Sequence, residues 1–167
     1  MDPSPELERV GRKLLNRLKL FAKRYKHIWQ PTKLKLEYLT QINPDFPEDD
    51  LIRLYDFDQT EARKFQSLIE DQILKKGKSI NLTTLNFIHR VNCSLTLKLG
   101  NQDRGIQKIG DENFDCELTS SSYKEMIGLI QPFVDEDSNG YQWLYDPDPK
   151  ISKTELLFSP GGNWWRE

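Results

Sequence analysis

The spacing of the apolar residues changes repeatedly along this chain, and that change of period constrains the fold more than any single residue does. At residues 33–40 leucine and tyrosine alternate with charge: Leu34, Leu36 and Tyr38 fall on one side, Lys35, Glu37 and Leu39 on the other, the pattern of a half-buried strand. Residues 51–58 read as a second strand. Residues 60–74 then place Ala62, Phe65, Leu68, Ile69 and Ile73 at the threes and fours of a helix, closed by the cations and glycine of Lys75-Lys76-Gly77-Lys78. Alternation returns at residues 93–99 and 114–118. Thr119 or Ser120 caps a further helix through Ile130, with Tyr123, Met126, Ile127 and Ile130 as its apolar side and Pro132 as its stop. The stretch around Asn101, Gly105 and Gly110 reads as a loop, as does 41–50 with its Pro and Asp content. Residues 141–145 and 155–158 are two more strands, with Tyr141, Trp143 and Tyr145 sharing a face assigned to the core. Residues 80–91 admit either period; Leu82, Leu85, Ile88 and Val91 at threes favour a short helix.

Ahead of these elements, residues 6–29 form one long amphipathic pattern. Ser4 suits the N-cap and Pro5 the first helical position; Leu7, Val10, Leu14, Leu18, Phe21, Tyr25 and Ile28 make the apolar stripe, and Pro31 ends it. The expected organisation is a basic helix over 1–30, packed on or extending from a single domain over 31–167. Two parallels hint at a repeat: Leu34-Lys35-Leu36 with Leu95-Thr96-Leu97, and Tyr55-Asp56-Phe57-Asp58 with Phe114-Asp115-Cys116-Glu117. The predicted fold is therefore α+β: a mainly antiparallel sheet from two strand–strand–helix units plus a C-terminal hairpin, preceded by the basic helix.

Composition narrows the function classes. Of the residues 37% are apolar and 11% aromatic, too many for a disordered chain, yet no apolar run approaches the roughly 18–20 residues of a membrane span. The first ten residues show no basic stretch leading into an apolar one, so a cytoplasmic protein without a secretory leader is expected. Cys93 and Cys116, with His27 and His89, match no zinc spacing; reduced, buried cysteines and no metal or other cofactor are the expectation. Nucleotide-cradling glycine motifs and the common hydrolase signatures are absent from the sequence.

Charge is unevenly distributed. Residues 1–30 carry eight Lys or Arg against three carboxylates, a local net of +5, whereas residues 111–148 carry ten carboxylates against Lys124, a local net of −9. Such a division presents unlike faces to partners.

The sharpest chemical motif is Leu51-Ile52-Arg53-Leu54-Tyr55-Asp56-Phe57-Asp58-Gln59-Thr60. It resembles motif I of the haloacid dehalogenase-like phosphatases, four apolar positions followed by DxDxT. The resemblance implies that Asp56 attacks phosphorus, that Asp58 serves as general acid and base, and that magnesium sits between carboxylates. Glu61 stands where that family prefers an apolar residue, and no later segment supplies its lysine and paired aspartates. Read from the residues themselves, Asp58 and Thr60 cap a helix and Asp56 lies on the solvent side of a strand.

Two further constellations are candidate binding surfaces. Arg17, Lys23 and Arg24 with Tyr25 and Trp29 combine cations and aromatic faces, which suits nucleic acid, an anionic membrane surface or the solvated side of a docked helix. Trp164 and Trp165 end an aromatic, acidic C-terminal half suited to anchoring a protein partner, with Asp135–Asp137, Asp146 and Asp148 offering charge to a basic one. The expected function is a non-catalytic binding, adaptor or inhibitor-type protein that meets a protein partner or a second copy of itself. The alternatives are a nucleic-acid-binding domain using the basic helix and a magnesium-dependent phosphatase using Asp56 and Asp58.

Overall fold

The computed structural model of the protein describes residues 34–41, 50–145, 148 and 150–161; the basic helix expected over 1–30 lies outside them. The first strand, β1 (Leu34–Leu39), turns Leu34 and Leu36 inward at 0% exposure, as its alternation requires. Strand β2 (Asp50–Tyr55) runs antiparallel to it. Helix α1 (Gln59–Leu68) comes next and passes without a break into a π-helical segment, Ile69–Leu74. Phe65, Ile69 and Ile73 are all fully buried. Their strict spacing of four overshoots the α-helical turn, and widening the coil keeps the last two on the inward face. Gly77, at φ 61°, ends the segment.

Residues 80–91 hold two short strands, β3 (Ile80–Asn81) and β4 (Ile88–Arg90), around a single 3-10 turn at Leu82–Thr84. The helix favoured by the leucine spacing is absent there. The Asn81 side chain accepts from the Thr83 N–H and hydroxyl, holding one tight turn, and the β-branched Thr83, Thr84 and Ile88 do not extend it. Strands β5 (Ser94–Leu99), β6 (Gly105–Lys108) and β7 (Asn113–Leu118) come after it. β6 occupies the stretch read as loop from its glycines. Gly105 is needed on two counts, its φ of 65° and the Tyr145 ring lying where a Cβ would stand.

Helix α2 (Ser120–Asp135) is capped by Thr119 and runs through Pro132 instead of stopping there. Gly128 and Pro132 both face solvent, so the carbonyl that proline leaves unbonded can reach water, while burial of Phe133 and Val134 rewards the extra turn. The chain closes with β8 (Gln142–Tyr145) and β9 (Thr154–Ser159), the antiparallel pair foreseen as a hairpin. On β8 the core residue is Leu144, 4% exposed, and Tyr141, just ahead of the strand, is 64% exposed. Tyr145 packs against the core as expected, but a register irregularity between Trp143 and Tyr145 breaks the alternation that also assigned Tyr141 and Trp143 there.

The strands form two sheets, ordered β4-β1-β2-β9-β8 and β3-β5-β7-β6. Both are mixed, not mainly antiparallel: β1–β4, β2–β9 and β5–β7 are parallel. Half-buried alternation is the same for either direction, so the sequence pattern did not distinguish them. The expected repeat also fails. β1 and β2 are antiparallel neighbours, whereas β5 and β7 are parallel with β6 between them in sequence. The Tyr55–Asp58 stretch spans a strand end, a turn and a cap, while its supposed counterpart lies wholly within β7.

One core joins both sheets and both helices. Phe158 of β9 is its centre, stacked on Phe57 at 3.9 Å between ring centroids and met by Phe133 edge-on at 5.2 Å and by Phe65 at 5.8 Å. The central strands are buried on their other face too: Leu51, Arg53 and Leu157 are at most 3% exposed, with Arg53 donating to Glu37 and stacked 3.8 Å from the Tyr55 ring centroid. The sheets are stitched at the β4–β5 corner, where the Asn92 amide both accepts from and donates to the Tyr38 backbone at 2.8 Å. Ser152 Oγ donating to the Ile106 carbonyl, also at 2.8 Å, ties β6 to the segment before β9. Among the described residues no helix is long and apolar enough to cross a membrane.

Candidate functional site

β2 ends at Tyr55 because Asp56 turns left-handed, at φ 58°, a conformation that aspartate tolerates better than most side chains. The turn sends Phe57 into the core and releases Asp58 to meet the start of α1. Asp58 Oδ1 accepts from Thr60 N at 2.8 Å and Glu61 N at 3.1 Å, and Glu61 Oε2 accepts in return from Asp58 N at 3.2 Å. This is a complete capping box, and the Glu61 side chain that closes it is buried. Asp56 pairs with Lys35, Nζ to Oδ2 2.6 Å, both side chains half-exposed; the hydrogen bond from Lys35 to Asp56 raises the lysine pKa. Thus the two aspartates of the DxDxT-like motif lie at a strand end and a helix cap. Among the described residues no group of three or more His, Cys, Asp or Glu is placed to hold a metal ion.

The two helices lie antiparallel. Gln66 Nε2 donates to the Ile127 carbonyl and to Gln131 Oε1, and Arg63 reaches the Val134 carbonyl at 3.4 Å. The start of α1 therefore meets the end of α2, and a cavity opens on each side of the first turn of α1. The first, about 420 Å³, has Phe57 and Phe133 in its wall and Asp58, Glu136 and Asp137 at its rim, extending to Pro160 and Gly161. The Glu136 and Asp137 side chains make no hydrogen bond or ion pair among the described residues. The second, about 560 Å³ and wider at its mouth, runs along α1 from Thr60 past Arg63, Lys64 and Leu68 and on to Asp71 in the π-helical segment, with Phe87 as the opposite wall. Lys64 Nζ lies 5.9 Å from the Phe87 ring centroid. Asp71, at the far end, is held by Lys75 at 2.9 Å, a lysine it shares with Glu70 at 3.2 Å, and the cations that line this cavity are Arg63 and Lys64. An acidic and a basic concavity, both with aromatic walls, thus adjoin on one helical turn.

Other polar groups singled out by their environment have structural partners. Asp103, in the loop after β5, accepts from Thr119 N at 2.6 Å and Ser122 Oγ at 2.7 Å, adding a second cap to α2. Burial pushes its pKa upward, but these hydrogen bonds outweigh that effect and hold it low. Tyr123, fully buried, aims its hydroxyl at the Lys98 and Cys116 carbonyls, tying α2 to neighbouring strands; burial raises its pKa. Cys93 and Cys116 are free and buried, and loss of hydration pushes both thiols up to about 12, far from a reactive thiolate. His89 is exposed on β4.

Of the residues nominated from sequence, Arg17, Lys23, Arg24, Tyr25, Trp29, Trp164 and Trp165 lie outside the described residues. Asp58 and the acidic run ending at Asp137 are brought together; Asp56 is turned away to Lys35. Lys64 and Phe87 were not among the nominated residues. Lys64 looks in sequence like any solvated helix cation, and Phe87 sits in the segment whose period was ambiguous. The chain matches no model of a known protein family and no curated protein sequence.

Proposed function

We propose that the chain is a non-catalytic binding protein acting through protein–protein contacts, and that the face around the first turn of α1 makes those contacts. The observation that carries the reading is the adjoining pair of cavities of opposite charge, about 420 and 560 Å³, at that turn. Concave sites of this size with aromatic walls and a few charged groups suit side chains of a partner. Fixed charges of both signs also specify its orientation. The engagement of Asp58 in a helix cap and of Asp56 with Lys35 supports a binding role over phosphoryl transfer.

The test measures binding and hydrolysis on the same preparation of the full chain. The expected result is a specific protein contact that weakens with Lys64→Glu or Asp137→Lys, and no magnesium-dependent release of phosphate from a generic phosphomonoester. Turnover abolished by Asp56→Asn would overturn this function. So would nucleic-acid binding that falls steeply with salt and with charge reversal at Arg17, Lys23 and Arg24.

A further inference from the structure

Resting on that reading, we infer that the partner at this face is a second copy of the same chain, docked about a two-fold axis at the first turn of α1. A two-fold contact needs a self-complementary patch, in which one surface of each copy meets a different surface of the other and the same pair recurs by symmetry. The two cavities meet this condition. The cavity rimmed by Glu136 and Asp137 reaches Asp58 and Gln59 at the start of α1, and the cavity walled by Lys64 begins at the next residue, Thr60, so the acidic and basic groups border adjoining cavities at the start of one helix. Rotation by half a turn about the seam between them lays acid on base twice. Arg63, already held to the Val134 carbonyl, stands at that seam and joins α1 to the end of α2.

The chemistry of each half fits the other. Glu136 and Asp137 project from the end of α2 without a cationic partner among the described residues, which lets them enter a neighbouring cavity. Among the described residues Lys64 is matched in its own copy only with the Phe87 ring, and the carboxylate at the far end of its cavity, Asp71, is held by Lys75, which it shares with Glu70. Phe87 and Leu68 supply apolar surface to be covered. The charges at the rim set register and encounter rate, since exposed ion pairs contribute modestly to affinity. The expected product is a reversible dimer whose population rises with concentration and falls with salt.

Sedimentation velocity on the full chain tests this, using Lys64→Glu and Asp137→Lys. Both positions are solvent-exposed, and circular dichroism of each variant verifies folding. The wild type is expected to dimerise with rising concentration. Each variant alone places like charges together twice per dimer and should lose at least about tenfold in association constant. An equimolar mixture of Lys64→Glu and Asp137→Lys chains restores both contacts. One is the native pair of Asp137 with Lys64, and the other is the same pair with its charges exchanged. The mixture is therefore expected to dimerise again. A wild type that stays monomeric, single variants that dimerise as well as the wild type, or a mixture that remains monomeric would each overturn the inference. If the wild type is monomeric and both substitutions instead abolish a contact with a different protein, self-association is overturned while the binding face stands.

Discussion

Replacing Asp58 distinguishes a helix cap from a general acid, because the two roles respond oppositely to the same substitutions. The Asp58 carboxylate accepts two backbone N–H groups at 2.8 and 3.1 Å, so Asp58→Ala leaves both without their intrachain acceptor. Loss of an N-cap acceptor costs about 1 kcal/mol, within a range of roughly 0.5–2. At this chain length 1 kcal/mol corresponds to a fall in Tm of about 3–4 °C. Asparagine presents an equivalent oxygen, so Asp58→Asn is expected to lose less than half as much. Glu61→Ala removes the reciprocal bond to Asp58 N, and the double variant with Asp58→Ala should be less than additive, since the two bonds fix one loop. Urea and thermal unfolding of the full chain measure all four. An Asp58→Ala variant as stable as the wild type, or an Asp58→Asn variant as damaged as the alanine one, would refute the capping argument.

Three further outcomes are expected from the same geometry. Asp56→Gly should be tolerated, because glycine adopts φ 58° freely and the exposed Lys35 pair contributes little, whereas Asp56→Val should cost about 1–2 kcal/mol in urea unfolding. Asp103→Asn should destabilise at neutral pH. Because the folded pKa of Asp103 is lowered, its contribution is complete above the unfolded value of about 3.9 and is lost as pH falls through the lower, folded one. The wild-type advantage over Asp103→Asn, measured by unfolding across an acid series, should therefore shrink below about pH 4. Cys93 and Cys116 should resist thiol reagents in the native protein and react at the rate of unfolding; rapid native labelling would contradict their burial.

Most element positions were legible in the sequence because period, caps and burial agree there. Leu34 and Leu36, Phe65 and Ile69, Tyr123 and Met126 all sit on the predicted inward faces. The cap at Asp58 was readable from its place before the Ala62–Phe65–Ile69 stripe, although Thr60, read as a second cap, lies inside the helix, and the cap at Thr119 was readable from its place before the Tyr123–Met126–Ile130 stripe. Strand direction was hidden, since β5 and β7 alternate as neighbours of either sense would. Pro132 misled because its effect depends on its two successors: Phe133 and Val134 have a core to enter, a fact that exists only in three dimensions. Tyr141 and Trp143 misled through the irregularity in β8, which a regular alternation does not anticipate. The candidate face was half visible. The Asp135–Asp137 run stood out as charge, but its meeting with Asp58 depends on the antiparallel helices, and the pairing of Lys64 with Phe87 spans two elements that sequence spacing does not connect.

The most direct test of the claim that two copies of the chain meet at the first turn of α1 is a concentration series of amide NMR spectra on the full chain. Progressive shifts are expected, confined to the residues around the two cavities on α1, at Phe87 and at the end of α2, reversed by salt and absent in Lys64→Glu. Spectra that do not change with concentration, or shifts centred elsewhere such as the exposed Tyr141 edge of β8, would contradict it.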